Sequence, residues 1–262
     1  MRVYLQYWSS TGNTALAARL AAQALAEAGA EVEVEVADLR RSKPRRVPRC
    51  DLWVVASPVY AFRPALPVEE YLQQAKAETG TPAAAVLTHG GFPDRAPARL
   101  GELMRQAGAA PWRWADLLSE DSWPVLRRFA PRFAITGEPS PLRREKFASW
   151  WRDVPERLGR DAAAGWRRRF TPFSPLSGFY RRSVLRRAFQ FRVDLMRCVR
   201  CGLCEERCPT GRMKIANFPR PAGDCVGCYG CVNICPQDAV DTWLTRGAPR
   251  YRGPKAEMAK PR

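Results

Sequence analysis

The sequence predicts an α/β chain in two parts, a doubly wound parallel sheet of five strands followed by a small, cysteine-dense α+β domain. Three observations predict it. Short β-prone runs alternate with helix-prone runs from Val3 to about Leu118, the pitch of units that build a parallel sheet. The central runs are apolar throughout, as strands covered on both faces must be. Eight of the nine cysteines lie beyond residue 197, in two copies of one spacing.

The first element is the run Val3-Tyr4-Leu5-Gln6-Tyr7-Trp8, read as a strand. Ser9, Ser10, Thr11, Gly12, Asn13 and Thr14 follow, and then an alanine- and leucine-rich helix to Ala28, closed by Gly29. A hydroxyl-rich loop between strand and helix suits a phosphate. The N–H groups at a helix start lack partners, its dipole favours an anion, and the hydroxyls add donors. Simple capping is the competing reading, but four hydroxyls with Gly-Asn in six positions exceed what one cap uses. No G-x-G-x-x-G is present, which argues against a dinucleotide site.

Glu31 to Val36 alternates with period two and reads as a peripheral strand, charged on one face. Leu52-Trp53-Val54-Val55-Ala56 reads as a central strand, with Cys50 just before it as a small buried thiol. A helix is expected near Pro67, with Val68, Tyr71, Leu72 and Ala75 on one face. Pro82 to Leu87 is the next buried strand, Ala96 to Ala107 a helix stopped by Gly108, and Trp112 to Leu118 the fifth strand. From Arg143, the residues Phe147, Trp150, Trp151, Val154 and Leu158 mark one helical face, which Pro155 should kink or split. His89 is the only histidine, so no histidine-based triad or histidine-rich metal site is available, and a loop role is favoured for it.

The cysteines carry the strongest signal. Cys198, Cys201, Cys204 and Cys208 form C-x₂-C-x₂-C-x₃-C-P, and Cys225, Cys228, Cys231 and Cys235 repeat it 27 residues later. Three thiolates spaced three residues apart fit three corners of one iron–sulfur cube, and the fourth of each run ligates the other cube. The sets are therefore Cys198, Cys201, Cys204 and Cys235 for one [4Fe–4S] cluster, and Cys225, Cys228, Cys231 and Cys208 for the second. Zinc would need only paired C-x₂-C knuckles, and disulfides between cysteines three apart would be strained.

The formal net charge is +17. Two clusters at about −2 each and a phosphate at about −2 would leave about +11. Residues 143–192 hold 14 Arg and Lys against 4 Asp and Glu. No run of apolar residues is long enough to span a membrane, and no N-terminal targeting stretch is visible. Cysteines used as metal ligands then point to a reducing, cytoplasmic setting. The expected divisions are 1–165 for the sheet domain, 166–190 for a basic aromatic connector, 191–242 for the cluster domain and 243–262 for a fraying polar tail.

The C-terminal motif resembles the bacterial two-cluster ferredoxins over about residues 191–242. The motif Tyr7-Trp8-Ser9-Ser10-Thr11-Gly12-Asn13-Thr14 resembles the FMN-phosphate loop of flavodoxins, whose sheets are doubly wound. Together the two parts resemble the fused flavodoxin–ferredoxin family. The resemblance implies FMN with two [4Fe–4S] clusters and an electron-transfer role. It further implies that the loops after the third and fourth strands hold the flavin ring, through Ser57, Pro58, Val59, Tyr60 and Phe62 and through His89, Gly90, Gly91 and Phe92. The second loop lacks the Trp or Tyr and the flanking acids that many flavodoxins place there.

The expected function is a relay between FMN and the clusters, coupling one- and two-electron carriers for a redox partner protein. With no nucleophile, paired carboxylates or nicotinamide motif, unaided turnover of a small substrate is not expected. The basic balance favours acidic partners such as a ferredoxin, a flavodoxin or a reductase. One alternative is an FMN-dependent reductase of a small acceptor, fed by its own clusters. Another is a dicluster ferredoxin with a flavin-free docking domain. The mix of arginine and aromatics in 166–192 also suits a membrane surface or nucleic acid. A charge-balancing cover over the domain junction is preferred, so no nucleic-acid partner is expected and peripheral membrane contact stays open.

Overall fold

The computed structural model describes residues 1–161, 166, 191–208, 211, 213–215, 219–221 and 225–254. The expected connector at 166–190 lies outside these residues apart from Trp166, as does 255–262.

The sheet forms from β1 (Arg2–Tyr7), β2 (Glu33–Asp38), β3 (Leu52–Tyr60), β5 (Pro82–His89) and β6 (Ala110–Leu118), in the order β2-β1-β3-β5-β6. All four pairings are parallel. A two-residue spur, β4 (Arg63–Pro64), turns back antiparallel on the end of β3 and makes a sixth strand. The parallel order 2-1-3-4-5 is that of flavodoxin-like sheets, and its switch point lies between β1 and β3.

Period-two alternation sorts the strands between two cores. Tyr4, Trp53, Val55, Ala83, Ala85 and Leu87 face α2 (Leu66–Leu72) and α3 (Ala96–Gln106). Val3, Leu5, Leu52, Val54, Ala84 and Val86 face α1 (Asn13–Glu27) and α5 (Pro141–Arg152). Burying each large apolar side chain contributes about 1.5–3 kcal/mol before chain entropy is charged against it. β2 stays at the edge, its alternating glutamates in solvent.

After β6 the chain forms α4 (Pro124–Phe129), a 3₁₀ turn at Pro131–Phe133, α5 and α6 (Val154–Arg157). Ser140 caps α5 by accepting the Arg143 N–H. Pro155 sits in the first turn of α6, so the expected long helix is two helices, and Phe147, Trp151 and Val154 bury together under β6.

The C-terminal part has α7 (Leu203–Glu206), α8 (Gly230–Ile234), and two short antiparallel ribbons. One ribbon pairs β7 (Arg192–Val193) with β10 (Val240–Asp241), and the other pairs β8 (Met213–Ile215) with β9 (Pro219–Pro221). The sequence repeat extends into the backbone. Arg200 and Gly202 adopt positive φ, as do Gly227 and Tyr229 at the equivalent positions 27 residues on. α7 and α8 start at equivalent residues too.

Residues 243–254 are not a frayed tail, contrary to expectation. The Thr242 and Thr245 hydroxyls bond each other at 3.0 Å, and Arg250 is clamped between Asp238 and Asp241 at 3.4 and 3.3 Å. Ala248 and Tyr251 are buried. A polar composition conceals this because the contacts are ionic and hydrogen-bonded rather than apolar.

Candidate metal centres and the loop against them

The structure brings Cys198, Cys201, Cys204 and Cys235 around one cavity, closed by Leu203, Pro236 and Val240. Three of these sulfurs come from the tight loop entering α7, where the positive φ of Arg200 and Gly202 turns the backbone around the cavity. Cys235 arrives from the end of α8, and its Sγ accepts the Ala239 N–H at 3.2 Å. Cys201 is exposed while Cys204 and Cys235 are buried, so one corner of the cavity faces solvent.

The second set converges next to it. Burial first, and then the neighbouring sulfurs of Cys228, Cys225 and Cys208, hold the Cys231 thiol far above the ordinary range. Burial and the same neighbours push Cys228 up to about 12. Burial pushes Cys204 up to about 11, with Cys235 and Cys201 adding to it. Thiols packed like this resist ionising, and a bound cation is what would hold them as thiolates. Backbone N–H groups already point at the sulfurs: Met213 donates to Cys208 and Gly227 to Cys225, each at 3.3 Å. All nine cysteines are free of disulfides. Among the described residues no three Cys, His, Asp or Glu side chains close on a single ion. Four thiols from a C-x₂-C-x₂-C run and a more distant C-P are the donor chemistry of an iron–sulfur cluster rather than of paired zinc knuckles.

The predicted phosphate loop is placed at the carboxyl end of β1, where α1 begins. Gly12, at φ 102°, makes the turn into the helix, a conformation other residues adopt only with strain. Around it, however, the polar groups are already partnered. Ser9 Oγ accepts the Gly12 N–H at 3.1 Å, Thr14 and Thr88 hydroxyls bond at 2.7 Å, and Ser10 Oγ meets the Tyr60 hydroxyl at 2.6 Å. Asn13 Nδ2 donates to the Glu120 carbonyl, and its Oδ1 accepts from the Tyr251 hydroxyl. Ser9, Ser10, Asn13 and Thr14 are all buried.

The expected ring-contacting residues are drawn together without leaving a slot. Phe62 and Phe92 stack on each other, with centroids 5.5 Å apart and planes at 21°. Tyr60 lies edge-on to Trp8. Burial, and next the Cys228 sulfur, raise its phenol well above the ordinary range. Ser57 Oγ accepts the Ala65 N–H, and Pro58 and Val59 continue β3 beside the β4 spur. Asp121 closes over Gly90, where an added Cβ would fall 2.9 Å from its side chain; Gly91 has open space. His89 is the last residue of β5 rather than a loop residue, buried, with Nε2 2.8 Å from Asp116 Oδ2. As arranged, these residues would have to move to hold FMN. Its phosphate would need the Ser9, Ser10, Asn13 and Thr14 side chains that are engaged within the protein, and its ring would need Phe62, Phe92 and Asp121 to shift.

Sequence reasoning missed Tyr60 as a partner of Ser10, and Asn233 and Tyr251 altogether. Asn233 donates to the Ser122 carbonyl at 2.9 Å and accepts the Tyr251 N–H at 3.0 Å, which ties the two halves. The one available signal was Asn233 itself, an amide within the apolar run Val232-Asn233-Ile234 between cysteines.

The family described as "4Fe-4S dicluster domain" matches residues 190–238. A curated relative, a component of the ion-translocating oxidoreductase complex of Methanosarcina acetivorans, is 37% identical over 46 residues. That stretch is 17% of this chain and 17% of the relative, so the chain spans about a sixth of the relative's length. Solved structures similar to this chain include a flavodoxin from the domain Archaea, at 17% identity and a TM-score of 0.42 over 60% of this chain and 98% of that one. The Flv1 flavodiiron core from Synechocystis is similar at 16% identity and a TM-score of 0.42, covering 60% of this chain and 36% of that one. Strand order makes the first part a flavodoxin-like doubly wound sheet, and residues 190–238 match a 4Fe–4S dicluster domain, an arrangement similar to that of the fused flavodoxin–ferredoxins.

Proposed function

We propose that the chain is an electron-transfer protein whose conduit is a pair of [4Fe–4S] clusters in its C-terminal domain, serving a redox partner protein. The observation that carries this reading is the pair of interleaved four-cysteine sets, one opening to solvent at Cys201 and the other with Cys228 and Cys231 buried and Cys208 and Cys225 half-buried. Bound clusters of this kind take up and release single electrons. The chain's own work is to hold the sulfurs and to present the corner at Cys201. Leu195, Met196 and Val199 stand exposed beside Cys198 and Cys201, an apolar rim against which a partner can seat closely. Among the described residues no helix is long and apolar enough to cross a membrane.

A second reading, the FMN–cluster relay, is favoured by the strand order and by the position of the 9–14 loop at the switch point. One preparation tests both. Purified without oxygen, the protein is expected to hold about eight irons and eight sulfides per chain and to give the EPR signals of reduced [4Fe–4S] centres. Stoichiometric flavin in the same sample would favour the relay. About four irons, or none, would overturn the two-cluster conduit.

A further inference from the structure

The surface that covers the 9–14 loop is the chain's own second cysteine set. Gly230 opens α8 directly on Ser10: a Cβ there would fall 3.4 Å from the Ser10 carbonyl, 3.5 Å from Ser10 Cβ and 3.6 Å from Cys228 Sγ. The start of α8 therefore lies within one methyl group of the loop. Gly253 approaches from the other side, where a Cβ would fall 2.8 Å from the Thr11 carbonyl. Between them Tyr251 reaches Asn13. Cys228 and Val226 join the apolar core that holds Trp8 and Tyr60, so this cysteine belongs as much to the sheet domain as to its own. The Ser10 side chain and the Cys228 sulfur thus border the same point at the start of α8. Ser10 Oγ and the Tyr60 hydroxyl share a hydrogen bond at 2.6 Å in which either can donate, and with Tyr60 as donor the Ser10 proton is left to turn toward that sulfur.

We propose that the loop Ser9–Thr14 is the seat of the second cluster, in which Ser10, aligned by Tyr60, donates a hydrogen bond to Cys228 Sγ, and that this seat takes the place of a flavin phosphate. The covering segments and a flavin phosphate would compete for the Ser10 and Asn13 side chains, so one excludes the other. A hydrogen bond to a cluster sulfur stabilises the more negative, reduced state and raises the potential. Ser10 and Tyr60 thus act as positioning residues on one centre of the two.

The inference rests on the two-cluster reading, and its experiment has one arm that needs no cluster. In the first arm, the full-length protein is incubated with a large excess of FMN, and backbone amide exchange is followed by mass spectrometry. The expected result is no saturable quench of FMN fluorescence and strong protection of amides 10–14. In Gly253→Val, which pushes the covering segment off Thr11, protection of those amides is expected to fall while strands β1 and β3 stay protected. Saturable FMN binding by the unaltered chain, or fast exchange at 10–14 in it, overturns the proposal even if both clusters are present.

In the second arm, the loaded protein is titrated electrochemically with EPR detection. Ser10→Ala is expected to move one reduction step to more negative potential and leave the other in place. Tyr60→Phe should move the same step by less, and Ser10→Thr should restore it. Equal movement of both steps, or of neither, overturns the role of Ser10. Iron content and circular dichroism on each variant separate these outcomes from misfolding. An iron count near four would sink the two-cluster reading while the first arm still decides whether the loop is a seat.

Discussion

A fully buried glutamine in a central strand is the residue that most shapes the sheet's interior. Gln6 Oε1 accepts from Trp53 Nε1 at 2.9 Å and from the Tyr71 hydroxyl at 3.0 Å, so one side chain satisfies two buried aromatic donors on different elements. Burial also raises the Tyr71 phenol to about 12, so it remains a donor across the whole accessible range. Gln6→Leu keeps the volume and leaves the Trp53 N–H without an acceptor, while the Tyr71 hydroxyl keeps the Pro44 carbonyl at 3.2 Å, and one unmet buried group costs about 1–3 kcal/mol. The expected loss is about 1–3 kcal/mol in chemical denaturation monitored by tryptophan fluorescence. A loss under about 0.5 kcal/mol would mean that water or a rearranged Tyr71 replaces the amide. In the sequence Gln6 reads as one polar residue among apolar ones. Its role depends on residues 47 and 65 positions away, which no local pattern records.

At the scale of elements, legibility followed the physics of each signal. Leu52 to Ala56 announced a central strand because both its faces are covered, and Pro155 announced a helix break because it lacks an N–H and crowds the preceding turn. The element ends were less legible: β3 runs on to Tyr60 because pairing with β5 and the β4 spur overrides the turn character of Ser57-Pro58. α5 shows how an element with a weak helical pattern is held by a few deep contacts. Trp151 is fully buried, edge-on to both Phe147 and Trp150, and closes the sheet face beside Val86 and Leu117. Trp151→Ala removes the largest side chain from a packed site and is expected to cost about 3–5 kcal/mol. Trp150→Ala, at the half-buried neighbouring position, should cost clearly less. Thermal unfolding of the two variants side by side checks the ranking, and equal losses would mean that α5 docks as a unit rather than through Trp151.

For the whole molecule, the cysteine spacing disclosed which sulfurs would gather, but nothing local disclosed that Cys228 would pack beside the other half's loop. Asn13 and Tyr251 are 238 residues apart, and a contact of that span leaves no periodicity to read. The same loop sequence serves a phosphate site or a docking seat, and tertiary context chooses between them. Charge is the property of the whole that does survive from sequence to behaviour. The formal charge of +17 falls to about +13 with two oxidised clusters, still strongly basic for a chain of 262 residues. Arg197 and Arg200 belong to the loop that carries Cys198 and Cys201, which puts part of that charge where a partner must approach the solvent-facing corner. A field of this sign steers an acidic partner and accelerates its arrival by about 10–10³-fold at low salt. The screening length shrinks from about 10 Å at 0.1 M to about 3 Å at 1 M. Electron exchange with an acidic ferredoxin, followed by stopped flow, is therefore expected to slow at least about tenfold between low and high salt, while reduction of a small neutral dye stays nearly constant. A flat salt profile with the ferredoxin would show that the exposed apolar rim of Leu195, Met196 and Val199, not charge, governs the encounter.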